Sequence, residues 1–220
     1  MEKNKGTKIV LTVAIIIILL AIIILLVGTF RKYSIIESYK ERDNEIKSAD
    51  NIFVKTEGDW NREQRKMGDS YSVKVFRDDG SYYTIYDNGQ EKWIVYDDTE
   101  EKSAVKMEEI DSSLFSTGTN VFFEDDANFF TKLQNALSSR ISMEEVDGKE
   151  CYAIKANGEN KGVIYVSKDD YTPVKIERYS SDGETVESTY TYEIQFDVVT
   201  EEDVAIPDLS GYTILDRVKK

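Results

Sequence analysis

The sequence predicts an α+β chain in which one membrane-spanning helix precedes a single domain built on an antiparallel β-meander with a covering helix. Three observations predict this class. From Ile9 to Phe30, 19 of 22 positions are apolar and none is charged. Downstream, short runs rich in Val, Ile, Tyr, Phe and Thr alternate with Gly, Asn and Asp turn signals. One later stretch places Phe129, Phe130, Leu133, Ala136 and Leu137 at helical spacing.

The first element is set by length. At about 1.5 Å per residue, the apolar run spans roughly 33 Å, the thickness of a bilayer's hydrocarbon core. It is longer than the apolar region of a cleavable signal peptide and ends Leu26, Val27, Gly28, Thr29, Phe30 without a small-residue cleavage pattern. An uncleaved signal anchor is therefore expected at residues 9–30, with residues 1–8 as a cytoplasmic tail. Charge counting does not orient it, because Lys3, Lys5 and Lys8 on one side face Arg31, Lys32, Lys40, Arg42 and Lys47 on the other. With a short tail before it and a long domain after it, the expected placement is a single-pass protein of the bacterial cell membrane with its C-terminal domain extracytoplasmic.

Residues 31–49 follow as a juxtamembrane helix with Ile35, Ile36, Tyr39, Ile46 and Ala49 on one face, continuing the membrane helix and then turning onto the domain. The β domain occupies residues 50–220. Its turns are marked by Arg77-Asp78-Asp79-Gly80, Asp87-Asn88-Gly89, Asp147-Gly148, Asn157-Gly158 and Ser181-Asp182-Gly183. Between them, strands are expected near residues 52–56, 71–76, 82–86, 92–96, 103–107, 142–146, 152–156, 163–167, 174–179 and 189–196. The last alternates Tyr190, Tyr192, Ile194 and Phe196 against Thr191, Glu193, Gln195 and Asp197, as a sheet with one wet face requires. Tyr82–Tyr86, Trp93–Tyr96 and Val163–Val166 are apolar on both faces, so both sides of the mid-sheet are expected to be covered. A helix opened by Asp125 and Asp126 and closed at Arg140 supplies one cover. The connection from Met107 to Glu124 carries Leu114, Phe115, Val121, Phe122 and Phe123, which either complete the core or close over a cavity.

Composition prunes the chemistry. After the anchor the chain carries 25 basic and 41 acidic side chains, a net charge of −16, which repels nucleic acid and anionic headgroups. With no histidine, there is no imidazole base, no His-based triad and no His metal ligand. Cys151 is the single cysteine and sits in an alternating run, where a small buried hydrophobe is expected rather than a nucleophile. Acidic pairs are numerous but lie at turns and strand ends, and no phosphate loop, nucleophile elbow or EF-hand register occurs. No enzyme activity, metal or cofactor is expected. What survives is an excess of 14 Tyr, 9 Phe and 2 Trp, suited to a core or to a site for something apolar.

The order of these elements carries a resemblance. The phrase Tyr83-Thr84-Ile85-Tyr86-Asp87-Asn88-Gly89-Gln90-Glu91-Lys92-Trp93-Ile94-Val95-Tyr96 forms one hairpin. The phrase Val163-Ile164-Tyr165-Val166-Ser167-Lys168-Asp169-Asp170-Tyr171-Thr172-Pro173-Val174-Lys175-Ile176-Glu177 forms another, and Asp203-Val204-Ala205-Ile206-Pro207 follows. Over roughly residues 31–209 the chain resembles the LolA/LppX/RseB superfamily of lipoprotein-carrier-like domains. The resemblance implies an antiparallel half-barrel around an apolar cavity, with helices and a loop as lid. It implies a lipid or the acyl chain of a lipoprotein as ligand, bound without catalysis. Tyr83, Ile85, Trp93, Val95 and Tyr165 would form the wall, and Phe122, Phe123, Phe129, Phe130 and Leu133 the lid. The anchor departs from a diffusing shuttle. The alternative is a regulatory module acting on a partner membrane protein, as in anti-sigma-factor signalling.

Overall fold

A computed structural model of the chain describes residues 3–108, 128–156, 161–183 and 185–215. The first element, α1 (Lys3–Ser48), is one continuous 46-residue helix. Along its first half the large apolar side chains from Leu11 to Phe30 are 46–72 % exposed. Such a surface suits hydrocarbon, and by length and composition this helix can cross a membrane. Past Phe30 the same helix changes partners: Ile35, Ile36, Tyr39 and Ile46 are buried. The membrane-type helix thus continues without a break and carries this stripe onto the sheet.

Among the described residues, the rest is built on one 12-stranded sheet. Its first half comprises β1 (Asn51–Gly58), β2 (Asn61–Met67), β3 (Ser70–Phe76), β4 (Tyr82–Asp87), β5 (Lys92–Tyr96) and β6 (Ser103–Met107). After α2 (Phe129–Ser138) come β7 (Arg140–Val146), β8 (Lys149–Ala156), β9 (Gly162–Ser167), β10 (Pro173–Tyr179) and β11 (Val186–Phe196). A short α3 (Glu201–Val204) and β12 (Thr213–Leu215) end the described chain. The strand order is β12-β6-β5-β4-β3-β2-β1-β11-β10-β9-β8-β7. Every pairing is antiparallel except β12 on β6. Two runs of hairpins are thus joined edge to edge by β1 and β11, in the α+β half-barrel class the sequence predicts.

Local chemistry explains the hairpins. The Asp147-Gly148 turn places both residues at positive φ, 50° and 78°, the geometry of a two-residue loop that matches strand twist. In α2, Asn128 caps the helix by accepting from the Thr131 amide at 3.0 Å. The helix stops at Ser138, and Arg140 is the first residue of β7, not the basic end of the helix. Asp125 and Asp126, the Asn157-Gly158 turn and most of the Met107–Glu124 connection lie outside the described residues.

The core sits on the face under α1. Ile35, Ile36 and Tyr39 pack with Ala136 of α2 and with Ile154, Ile164, Val166 and Ile176 of the sheet. Further along, Ile46 packs on Ile52 and Val54, with Tyr192, Ile194 and Phe196 beside them. The other face carries a smaller cluster of Cys151, Ala153, Val163, Tyr165 and Val174.

Candidate functional site

Residues directly opposite in paired strands share a face. From Val54, beneath α1, the register runs to Gln64 on β2, Val73 on β3, Ile85 on β4, Ile94 on β5 and Val105 on β6. One step along, Arg62 opposes Val75, which opposes Tyr83. The helix-bearing face therefore continues across β3–β5 as an apolar floor, while the clusters that hold α1 end at β1. Val73 and Ile85 are buried in it, and Val75, Tyr83, Ile94 and Tyr96 are half-buried. Tyr83 and Tyr96 lie with ring centroids 5.8 Å apart, and the Arg77 guanidinium sits 5.2 Å and 5.7 Å from the two rings.

Polar groups bound this floor at both ends. At one end, burial lowers the Arg62 pKa against the opposing pull of the Tyr192 and Tyr190 phenols. With its carboxamide turned so that oxygen faces Arg62, Gln64 accepts from the Arg62 Nε at 2.9 Å. Burial also pushes Tyr192 up to about 12. At the other end, Asp87 accepts from the Tyr71 hydroxyl at 2.8 Å and the Gly89 amide at 2.8 Å, and pairs with Lys92 at 3.1 Å. Nothing in this set pairs a nucleophile with a base; it is an apolar floor with polar groups at its ends.

The structure divides the residues expected to form the wall. Tyr83 and Ile85 are on the floor. Trp93 opposes Tyr86, and Val95 opposes Thr84, so both point to the other face. There the C-terminal segment crosses the sheet: the Ser72 hydroxyl donates to the Asp203 carbonyl at 2.8 Å, and the Tyr212 hydroxyl donates to Asp97. Val95 is fully buried on that side. Tyr165 is on that face too, but seven strands away in the sheet order, roughly 34 Å at the usual strand spacing. Its hydroxyl donates to Glu177 at 3.1 Å, with the Lys175 ammonium 5.4 Å from the ring. Beside it, Cys151 has zero exposure and its thiol pKa is raised by burial.

Of the residues expected in a lid, Phe122 and Phe123 lie outside the described residues. Phe129, Phe130 and Leu133 are on α2. Phe129 is 53 % exposed and Phe130 80 %, with Leu133 half-buried. The Phe129 ring meets Tyr33 of α1 at 6.2 Å and Phe130 at 5.9 Å. Val73, Val75, Ile94 and Tyr96 share this floor without being among the residues expected from the sequence; hairpin loop length, which sets cross-strand parity, is the signal for the last two.

No family model matches the chain. No curated protein matches it either. Among solved structures, it is similar to an uncharacterized conserved protein from Thermus thermophilus, at 11 % identity and a TM-score of 0.46, over 81 % of this chain and 98 % of that one. The MucA/MucB complex structure from Pseudomonas aeruginosa matches at 10 % identity and a TM-score of 0.39, over 80 % of this chain and 61 % of that one. A LolA superfamily protein from Nitrosomonas europaea matches at 12 % identity and a TM-score of 0.28, over 77 % of this chain and 97 % of that one.

Proposed function

We propose that this chain is a membrane-anchored, extracytoplasmic and non-catalytic module that binds an acyl chain of a lipid or lipoprotein on the β3–β5 floor. The observation that carries the reading is the continuation of the helix-bearing apolar face beyond the clusters that hold α1. A sheet needs one covered face, and α1 with α2 already covers β8–β11 and β1. Additional aromatic and aliphatic floor, bounded by polar groups, suits a ligand that is long and apolar. The anchor keeps such a module beside the membrane that supplies acyl chains. Against catalysis stand the absence of histidine from the sequence and the buried, poorly ionised Cys151 thiol.

Residues 31–220 keep every residue of α1 that packs on the sheet, from Ile35 onward. Purified without detergent, this portion is expected to show co-purified lipid by native mass spectrometry and to bind a fluorescent fatty-acyl probe. Truncating Ile94 to Ala removes about three methylene equivalents, and on a half-buried position should weaken the probe roughly tenfold. Trp93→Ala, one residue away on the opposite face, should leave it unchanged. Absence of both lipid and probe binding, or equal loss in the two variants, refutes the reading.

A further inference from the structure

Exposed apolar side chains gather on α2. Phe130 is 80 % exposed, Phe129 53 % and Leu137 52 %. Their position relative to α1 is fixed by four contacts. Phe129 meets Tyr33 ring to ring, and at the other end of α2 the Ser139 carbonyl accepts from the Lys32 ammonium at 2.8 Å. Between them, Lys132 pairs with Glu37 at 2.6 Å, and Ala136 packs with Ile36 and its neighbours. Both ends of α2 are thus tied to residues 32 and 33, so α2 lies across α1 at one level along it. That level is three residues past Phe30, about 4.5 Å along the helix axis.

Helix geometry then says which way the aromatic stripe faces. Lys132 reaches Glu37, on the domain side of the crossing. At 100° per residue, Phe130 lies about 200° and Leu137 about 140° around the helix from Lys132. Phe129, Lys132 and Ala136, which meet α1 and the core, fall within about 100° of one another, so Phe130 and Leu137 project from the opposite face of α2, away from α1 and the sheet. Phe30, about 4.5 Å back along α1, is itself 54 % exposed.

We propose that α2 is an interfacial helix: Phe130 and Leu137 insert at the headgroup–acyl boundary of the same bilayer that α1 crosses. Aromatic side chains are favoured at that depth, where an apolar body meets a wet edge. The occupant of this patch is lipid because α2 is held two to three residues past the exposed apolar segment of α1 and leaves this apolar face uncovered. The domain is then clamped to the surface by two elements rather than swinging from one helix. This inference rests on α1 being a membrane span, and is independent of what binds the β3–β5 floor.

The test uses the full chain in phosphatidylcholine nanodiscs, with Trp60→Phe and Trp93→Phe as background and Phe130→Trp as the reporter. Its emission is expected to be blue-shifted, and most of it should be lost when the lipid carries bromine near the glycerol end of its acyl chains. A chain retaining Trp93 as sole tryptophan should keep its emission. Ile17→Trp in the same background reports the span, and should be quenched by lipid brominated near the methyl ends. Quenching at 17 without quenching or blue shift at 130 overturns the interfacial helix while leaving the anchor standing. A blue shift at 130 that brominated lipid does not quench means that protein, such as a second copy, covers the patch, and overturns it also. Lack of quenching at 17 removes the anchor and this inference with it.

Discussion

At the scale of single residues, Asp87 is the plainest case of a charge kept by its surroundings. Burial opposes its ionisation, but the Gly89 amide, the Tyr71 hydroxyl and the Lys92 ammonium outweigh it and hold the pKa below the ordinary Asp range. Because the folded value lies below the unfolded one, the stabilisation is complete above the ordinary value of about 3.9 and is lost as pH falls through the depressed one. Asp87→Asn should cost about 1.5–3 kcal/mol at pH 7. In urea titrations the gap to wild type should close as pH drops below the unfolded value; a gap independent of pH would mean that packing, not charge, is lost. Cys151 makes a second residue-scale statement. Fully buried and with a raised pKa, it should react with a thiol reagent only at the rate at which the domain opens, and fast labelling under native conditions would contradict its place in the cluster. The division of Tyr83 and Ile85 from Trp93 and Val95 belongs to this scale too. Alternation is legible within each strand, but the four-residue loop from Asn88 to Glu91 pairs Asp87 with Lys92, so odd positions of β4 face with even positions of β5.

Among elements, those with strong local patterns were readable. β5 and β6 occupy the residues expected, and the other anticipated strands differ only by a few residues at their ends. β2 was not foreseen: Asn-Arg-Glu-Gln-Arg-Lys-Met lacks β-branched and aromatic residues, and holds its place through two neighbours rather than through propensity. β12 is too short to show a period, and α3 has a single turn. Across the β1–β11 pair, Gly58 adopts a φ of 147°, and a Cβ there would lie 2.0 Å from the Thr189 carbonyl oxygen. Gly58→Ala should therefore destabilise by about 1–3 kcal/mol, measured as a lower urea midpoint with Gly68→Ala, where nothing lies within 4 Å, as the comparison for backbone strain alone. On α1, truncation of Ile36 to Ala removes a side chain 4 % exposed against the sheet and should cost about 2–5 kcal/mol. An effect under 1 kcal/mol would mean that this half of the helix is not part of the domain's cooperative unit.

For the whole molecule, the decisive contact is the one local patterns cannot show. β1 and β11 are more than a hundred residues apart, yet they pair over seven register positions and join the two hairpin runs into one sheet. Before β11 exists, β1 has an unpaired edge, and Ile46, Ile52 and Val54 lack Tyr192, Ile194 and Phe196 beside them. Such a non-local closure must be reached late, after the loop entropy of the intervening chain has been overcome, so folding in the millisecond-to-second range of high-contact-order sheets is expected. It also makes the halves interdependent. Ending the chain after Tyr179 should abolish cooperative unfolding, with tryptophan fluorescence and far-ultraviolet dichroism no longer changing together in urea. Ending it after Ala205 removes the β12 edge and the Tyr212–Asp97 contact but spares the closure, and should lower the midpoint while keeping one coincident transition. If instead the chain ending at Tyr179 still unfolds in a single coincident step, the β1–β6 and β7–β10 runs are separate folding units, and the sheet's continuity through β1–β11 is docking between two domains.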